Sequence, residues 1–304
     1  MKKLEKEAVL RERMILISAV SFFIFILPYI FHLALNGIQP ADAESFGQIH
    51  QTVLIEVGAE TEVLQLEAYL VGALAKSCEV SCHDETLKAM AVVLRSNAVR
   101  TITDGRSVAR ESFYTEEELH ILWGSDYEEN IRRYREIITS TEGIVLFFDG
   151  EIVEVPFHKI SAGETRDSDI LTQYLPYVTS VESADDMYAD GYFSSMAIKK
   201  DVLGEEFAVL AQDRFGYAVS IKVHGEEMNG EKFCRLYGLQ SACFDYDVKE
   251  DFYVFYVRGC GHGFGLSIYG ADAMAKKGSS FAEILEYFYP GIEIQKENRS
   301  DIEA

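Results

Sequence analysis

The run Met14–Leu35, MILISAVSFFIFILPYIFHLAL, holds 22 residues and no formal charge. A helix of that length rises about 33 Å, enough to cross a hydrocarbon core of about 30 Å, so it reads as a transmembrane helix. Pro28, near its outer half, is tolerated in such a helix. Lys2, Lys3, Lys6, Arg11 and Arg13 stand before the run, and Asp42 and Glu44 follow it. This lysine and arginine bias puts residues 1–13 in the cytoplasm as a tail, with 36–51 as a linker outside. The competing reading is a cleaved signal peptide, with Ala41-Asp42-Ala43 as a small-residue cleavage site; against it, the run exceeds the usual signal core of about 7–15 residues. On the anchored reading the chain is a single-pass cell-membrane protein. On either reading its working part is extracytoplasmic.

The 304 residues carry a formal charge of −22, and such an acidic surface repels phosphate backbones, which speaks against nucleic-acid partners. With 48% hydrophobic residues there is ample apolar surface for a core. The cysteines are Cys78, Cys82, Cys234, Cys243 and Cys260, an odd number that leaves at least one unpaired within the chain. Cys78 and Cys82 are four apart. With His83 they give three of the four ligands a structural metal needs, so no metal site is assigned. Cys234 and Cys243 are either a disulfide or two buried thiols. There is no cofactor motif.

Thr52–Val63 reads as strands turning at Gly58. Leu66–Ala75 has helical spacing, and Glu85–Arg100 carries the apolar stripe Leu87, Met90, Ala91, Leu94 and Ala98, with Asp84 favoured over His83 as its cap. Helices are predicted at Thr115–Leu122, Tyr127–Thr139, Val202–Phe215, Gly230–Tyr237 and Phe281–Phe288. Ile144–Phe148 and Ile152–Phe157 flank Asp149-Gly150, a hairpin signal. Ala218–Val223, Phe252–Val257 and Ile292–Ile294 read as strands. Without strict strand–helix alternation, the class is α+β, mixed helices and antiparallel strands.

Three segments are more specific: LEAYLVGALAKSCEVSCHDETLKAMAVVLR at Leu66–Arg95, FHKISAGETRDSDILTQYLPYVTSVES at Phe157–Ser183, and VRGCGHGFGLSIYGADAMAKKGSSFAEILEYFYPG at Val257–Gly291. With FCRLYGLQS at Phe233–Ser241 they resemble, in order and spacing, the stage II sporulation protein D family, which includes amidase enhancers. The resemblance covers about Val53 to Ile294 and so makes 52–294 one extracytoplasmic domain of that kind, with 295–304 as a tail. It implies a sporulation protein acting on peptidoglycan during engulfment, beside a membrane-anchored amidase. It also implies a lytic transglycosylase reaction in a glycan-binding groove, cutting between N-acetylmuramic acid and N-acetylglucosamine. One glutamic acid protonates the leaving oxygen, and its carboxylate then helps the sugar's own 6-hydroxyl close an anhydro ring. That glutamate is expected eleven residues before the helix lysine, here Lys88, and the position holds Ser77. A hydroxyl is no general acid near neutral pH.

Three readings stay open: a glycan-binding protein degenerate at its catalytic position, an active enzyme using Glu79 as a displaced acid, and a non-enzymatic anchor or amidase-recruiting partner. The substrate-binding residues implied by the resemblance are Lys88, Arg95, His158, Ser161, Thr165, His262 and Ser267. Met90 and Ile268 stand where the family carries glutamines, and Ser96-Asn97 where it tends to carry Thr-Tyr.

Overall fold

Residues 52–57, 60–171 and 174–296 are described by the computed structural model. The expected anchor at 14–35, with the tail before it and the linker after it, lies outside the described residues. Among the described residues no helix is long and apolar enough to cross a membrane.

Strands β1 (Thr52–Val57) and β2 (Glu60–Gln65) pair antiparallel and lead into helix α1 (Leu66–Ser77). Helix α2 (Asp84–Thr103) follows, and its apolar stripe is buried as predicted. Its cap is His83 rather than Asp84: the His83 ring accepts the Glu85 N–H at 3.2 Å. After β3 (Val108–Ala109), parallel to β1, a Thr115–Glu118 capping box starts helix α3 (Glu116–Trp123), and helix α4 (Tyr127–Ser140) comes next. β4 (Ile144–Phe148) turns through Asp149 and Gly150, both at positive φ, into β5 (Glu151–Ile152). The second arm is shorter than predicted because the chain leaves the ladder after Val153; the Asn97 amide then meets both backbone groups of Val155, at 2.8 and 2.9 Å.

The chain continues through β6 (Phe157–His158), β7 (Phe193–Lys199), the single turn α5 (Lys200–Leu203), β8 (Ala208–Gln212), β9 (Ala218–Val223) and β10 (Glu226–Asn229). The helix expected over Val202–Phe215 does not form. Gly204 at φ 82° ends the first turn, and the buried Phe207 and partly buried Val209 alternate as a strand requires. Helix α6 (Gly230–Tyr237), β11 (Phe244–Val248), β12 (Phe252–Arg258), β13 (Leu266–Ser267), helices α7 (Ile268–Lys276) and α8 (Phe281–Phe288), and β14 (Glu293–Lys296) complete the order. The expected tail at 295 therefore begins two residues inside a strand, where Gln295 and Lys296 pair with Val145 and Ile144.

The class is α+β. Its sheets are mainly antiparallel, with parallel pairings of β1 with β3 and β6 with β13. The apolar interior is divided into two large clusters. One joins α1, α2, α4, α7 and α8 to β1 and β4. The other joins β8, β9, β11 and β12 to α6, and is rich in aromatic rings: Phe207, Phe233, Phe244, Tyr253 and Phe255. The segment around 157–192 and the glycine-rich run Gly259–Gly265 lie between them in contact, bridged at Ile160–Cys260 and Arg166–Phe264.

Candidate functional site

The residues implied by the family pattern divide by burial. Arg95 is fully buried. Its Nε and Nη2 donate to the two carboxylate oxygens of Glu67 at 3.1 and 3.0 Å, and further N–H groups reach the Thr141 and Ile138 carbonyls at 2.9 and 3.2 Å. This bidentate pair ties α1, α2 and α4 together. Ser161, Thr165 and Ser267 are also fully buried. The Ser161 N–H and the Ser267 hydroxyl both donate to the Asp186 carboxylate, at 2.7 and 2.9 Å, while Ser267 caps α7 and Thr165 accepts the Val181 N–H at 2.9 Å. Arg95, Ser161, Thr165 and Ser267, expected to bind substrate, have polar groups bonded inside the fold. Burial pushes the Asp186 carboxyl up, against the serine hydrogen bonds that pull it down.

His158 and His262 do come together, with ring centroids 5.8 Å apart. His158 is buried and donates from Nδ1 to the Phe264 carbonyl at 3.1 Å, which leaves its Nε2 buried without a partner. His262 accepts the Phe264 N–H at Nδ1, 3.0 Å away. The two rings are therefore opposite tautomers, each fixed by Phe264. Burial lowers the His158 pKa to about 3, helped by the charges of His262 and Arg166. Burial and then Arg166 lower His262 to about 4. Both imidazoles are neutral at pH 7 and would be poor acids there.

Arg166, not singled out from sequence, organises this junction. Its Nε donates to Asp213 at 2.7 Å, its Nη1 to Glu231 at 2.8 Å and to the His262 carbonyl at 2.7 Å, and it lies 4.3 Å from the Tyr217 and Phe264 ring centres. The available signal was an arginine among small residues with the glycine-rich run elsewhere in the chain. That run must be glycine for a physical reason. A Cβ on Gly263 would stand 2.6 Å from the Tyr217 hydroxyl, and one on Gly265 2.0 Å from the Pro156 carbonyl oxygen, with φ of 83° and 66°.

The loop between α1 and α2 is different. Ser77 ends α1 with its hydroxyl donated back to the Ala73 carbonyl at 2.9 Å. Glu79 is exposed, and its carboxylate accepts from Ser81 at 3.3 Å. Lys88 is partly exposed and paired with Glu85 at 2.6 Å. Met90 and Ile268 are buried in the same apolar cluster, on α2 and α7, which pack together. The positions expected to be polar toward a sugar are core here.

A cleft of about 720 Å³ opens at the other end of α2, lined among others by Asn97, Arg100, Arg106, Glu154, Tyr177 and His262. Arg106 pairs with Asp104 and Glu154 at 3.0 and 2.7 Å. Asp84 and Arg100 are sixteen residues apart, so the cleft and the Ser77–Asp84 loop are separated by about 24 Å of helix. Of the expected residues, His262 alone lines this cleft. No cluster of His, Cys, Asp and Glu suited to a metal occurs among the described residues, and all five cysteines are free thiols.

These features define a class: an α+β domain whose helical and strand-rich cores are locked together through a buried arginine and a glycine-rich run. The sequence profile of a family described as "Stage II sporulation protein" matches residues 58–148. Stage II sporulation protein D of Bacillus amyloliquefaciens is 26% identical over 259 residues, covering 77% of this chain and 75% of that protein. The Bacillus subtilis protein of the same name is 27% identical, covering 77% and 76%. A 46-residue stretch is 48% identical to the amidase enhancer of B. subtilis, 14% of this chain and 6% of that protein. The chain is thus similar to stage II sporulation protein D over about three quarters of both proteins, and its residues 58–148 match the family profile.

Proposed function

We propose that this protein acts on the cell wall by binding peptidoglycan glycan strands without cleaving them. The observation that carries the reading is Ser77. It stands at the position of the family's catalytic glutamate, with its hydroxyl turned back into α1. A serine hydroxyl there supplies neither the acid nor the carboxylate that the anhydro-forming reaction needs. The burial of Met90 and Ile268 supports the same reading, because side chains in the core do not hydrogen-bond a sugar. The cleft beside His262 is the proposed strand-binding surface. The anchor at 14–35 holds the domain outside the cell membrane, and the likeness to an amidase enhancer favours a wall amidase as partner.

A second reading rests on Glu79, whose carboxylate is exposed two residues past Ser77 and would serve as a displaced acid. Glycan strands freed of stem peptides distinguish the two. Incubated with the full-length chain in detergent, they are expected to bind it and to yield no anhydro-ended sugars. Anhydro products that vanish in Glu79→Gln would establish an active transglycosylase instead. Absence of strand binding would leave the structural-anchor reading in place.

A further inference from the structure

We infer that the outer face of the sheet formed by β11, β12 and β7 is a second glycan platform, on which Phe193, Tyr256 and Phe252 stack against sugar rings. The inference rests on the reading that this protein binds glycan strands, and it uses residues that the cleft beside His262 does not. Strand register separates the two faces of this sheet. Tyr253, Phe255 and Val257 of β12 are buried in the aromatic core. The residues between them point the other way. There Tyr256 stands between Ser195 and Asp245, and Val254 between Ala197 and Asp247. Phe252 is opposite Lys199, and Arg258 is opposite Phe193. The wet face of an antiparallel sheet is ordinarily polar. Here it carries three aromatic rings, with Phe193 68% exposed, Tyr256 41% and Phe252 37%. Rings left in water on one face add nothing to the core, and such a cluster marks a binding surface.

The spacing fits a long ligand of linked rings. Tyr256 and Phe252 are four residues apart on β12, about 14 Å, and Phe193 lies one strand over and two residues further on. The three rings therefore span about 20 Å of sheet, room for several linked sugars. Beside Tyr256 and Val254, β7 presents only Ser195 and Ala197, which are exposed and too small to lift a ligand off the rings. The groups around the rings select the occupant. Each carboxylate of this face has its own cation: Asp245 pairs with Arg258 at 3.4 Å and Asp247 with Lys249 at 3.1 Å. The Tyr256 hydroxyl donates to Asp247 at 3.3 Å. These groups keep lone pairs and N–H bonds for further partners. A pyranose matches both parts, with C–H faces for the rings and hydroxyl and acetamido groups for the polar rim. Lys199, exposed opposite Phe252, adds a cation for a muramic acid carboxylate. A phosphate polymer would meet Asp245 and Asp247 with like charge. An apolar helix laid on the rings would strip water from both ion pairs.

The test measures the affinity of the full-length chain in detergent for glycan strands freed of stem peptides. The native chain is compared with Phe193→Ala, Tyr256→Ala and the two combined. These side chains are exposed, so the variants should keep the native urea midpoint. Each single variant should bind about threefold more weakly and the double variant about tenfold. The single variants carry the reading should the double one fail to fold. Phe193→Trp should bind as the native chain does, and Phe193→Leu, which keeps apolar area without a flat ring, should lose affinity as alanine does. Alanine variants that bind as tightly as the native chain overturn the platform and leave strand binding to the cleft. A leucine variant of native affinity overturns it too, because the face is then an apolar contact for another protein. A native chain that binds no strands overturns this inference together with the reading it rests on.

Discussion

The two regions that carry the family pattern most closely are built in opposite ways. The glycine-rich run packs between two cores against His158, Arg166, Tyr217 and Pro156, and only its His262 reaches the cleft. The Ser77–Asp84 loop lies at the surface, held by a few hydrogen bonds to α4 and α7. The first region is constrained by packing throughout, whereas the second is constrained mainly at its two ends. Ser77, the position the proposed reading turns on, sits at the start of the loop, where packing constrains the side chain little. A match at Arg95 or Ser267 therefore reports the fold and says little about a reaction.

That contrast is sharpened first by removing a buried charge. Arg95→Ala leaves Glu67 inside the fold with its partner gone, and loss of a buried partner costs about 3–5 kcal/mol. Arg166→Ala, which strips Asp213 of its buried cation, belongs in the same range. Urea midpoints should fall by about 1–2 M or the variants should fail to accumulate folded; a cost below about 1 kcal/mol would mean that the interior pairs are expendable.

The glycine run itself gives the next effect. Gly265→Ala combines positive φ with a Cβ driven into the Pro156 carbonyl, and about 3 kcal/mol is expected from strain and overpacking together. Gly278→Ala has a comparable φ of 101° but nothing within 4 Å, so its cost should be about 1–2 kcal/mol from the backbone alone. The difference between the two melting shifts isolates the contact from the conformation.

The histidine pair makes the same junction sensitive to acid. Folded His158 and His262 titrate near about 3 and about 4, below the unfolded value of about 6.5, so the unfolded chain binds more protons between those limits. Stability is complete above about pH 6.5 and is lost as pH falls, by about 2 kcal/mol for each ring at pH 5. Asp186 and Glu231, both raised by burial, work in the opposite direction and offset part of the loss. His158→Gln should flatten the profile of urea midpoint between pH 7.5 and pH 5. An unchanged slope would show that the histidines do not set it.

Much of the fold was legible before the structure. The stripes of α1 and α2, the Asp149-Gly150 turn and the short α6 and α8 all follow from local periodicity and caps. The site was not, because burial is a property of how elements meet. Lys88 and Arg95 lie seven residues apart on one helix, yet α4 and β4 cover the second and leave the first partly in water. Periodicity could not separate them. Arg166 went unnoticed for the converse reason: its partners come from residues 213, 231 and 262, which nothing local brings together. The strand β8 falls where a helix is expected, because Gly204 at φ 82° ends the helical turn and the chain continues extended.

The smallest expected effects lie in the surface loop, and they test the contrast from its other side. Lys88→Ala removes a half-exposed pair with Glu85, and such pairs contribute about 0–1 kcal/mol. Ser77→Glu gives up one hydrogen bond to Ala73 and sets a negative charge at the carboxyl end of α1, where the helix dipole disfavours it by about 0.3–1 kcal/mol. Both variants should unfold within about 1 kcal/mol of the native chain. Stability this insensitive at Ser77 is what makes a carboxylate there testable without unfolding the chain. Folded Ser77→Glu protein that releases anhydro-ended sugars would show that the loss of the carboxylate alone silenced the site. Folded protein that stays inactive would show that a carboxylate at this position is not sufficient, in line with the apolar packing of Met90 and Ile268.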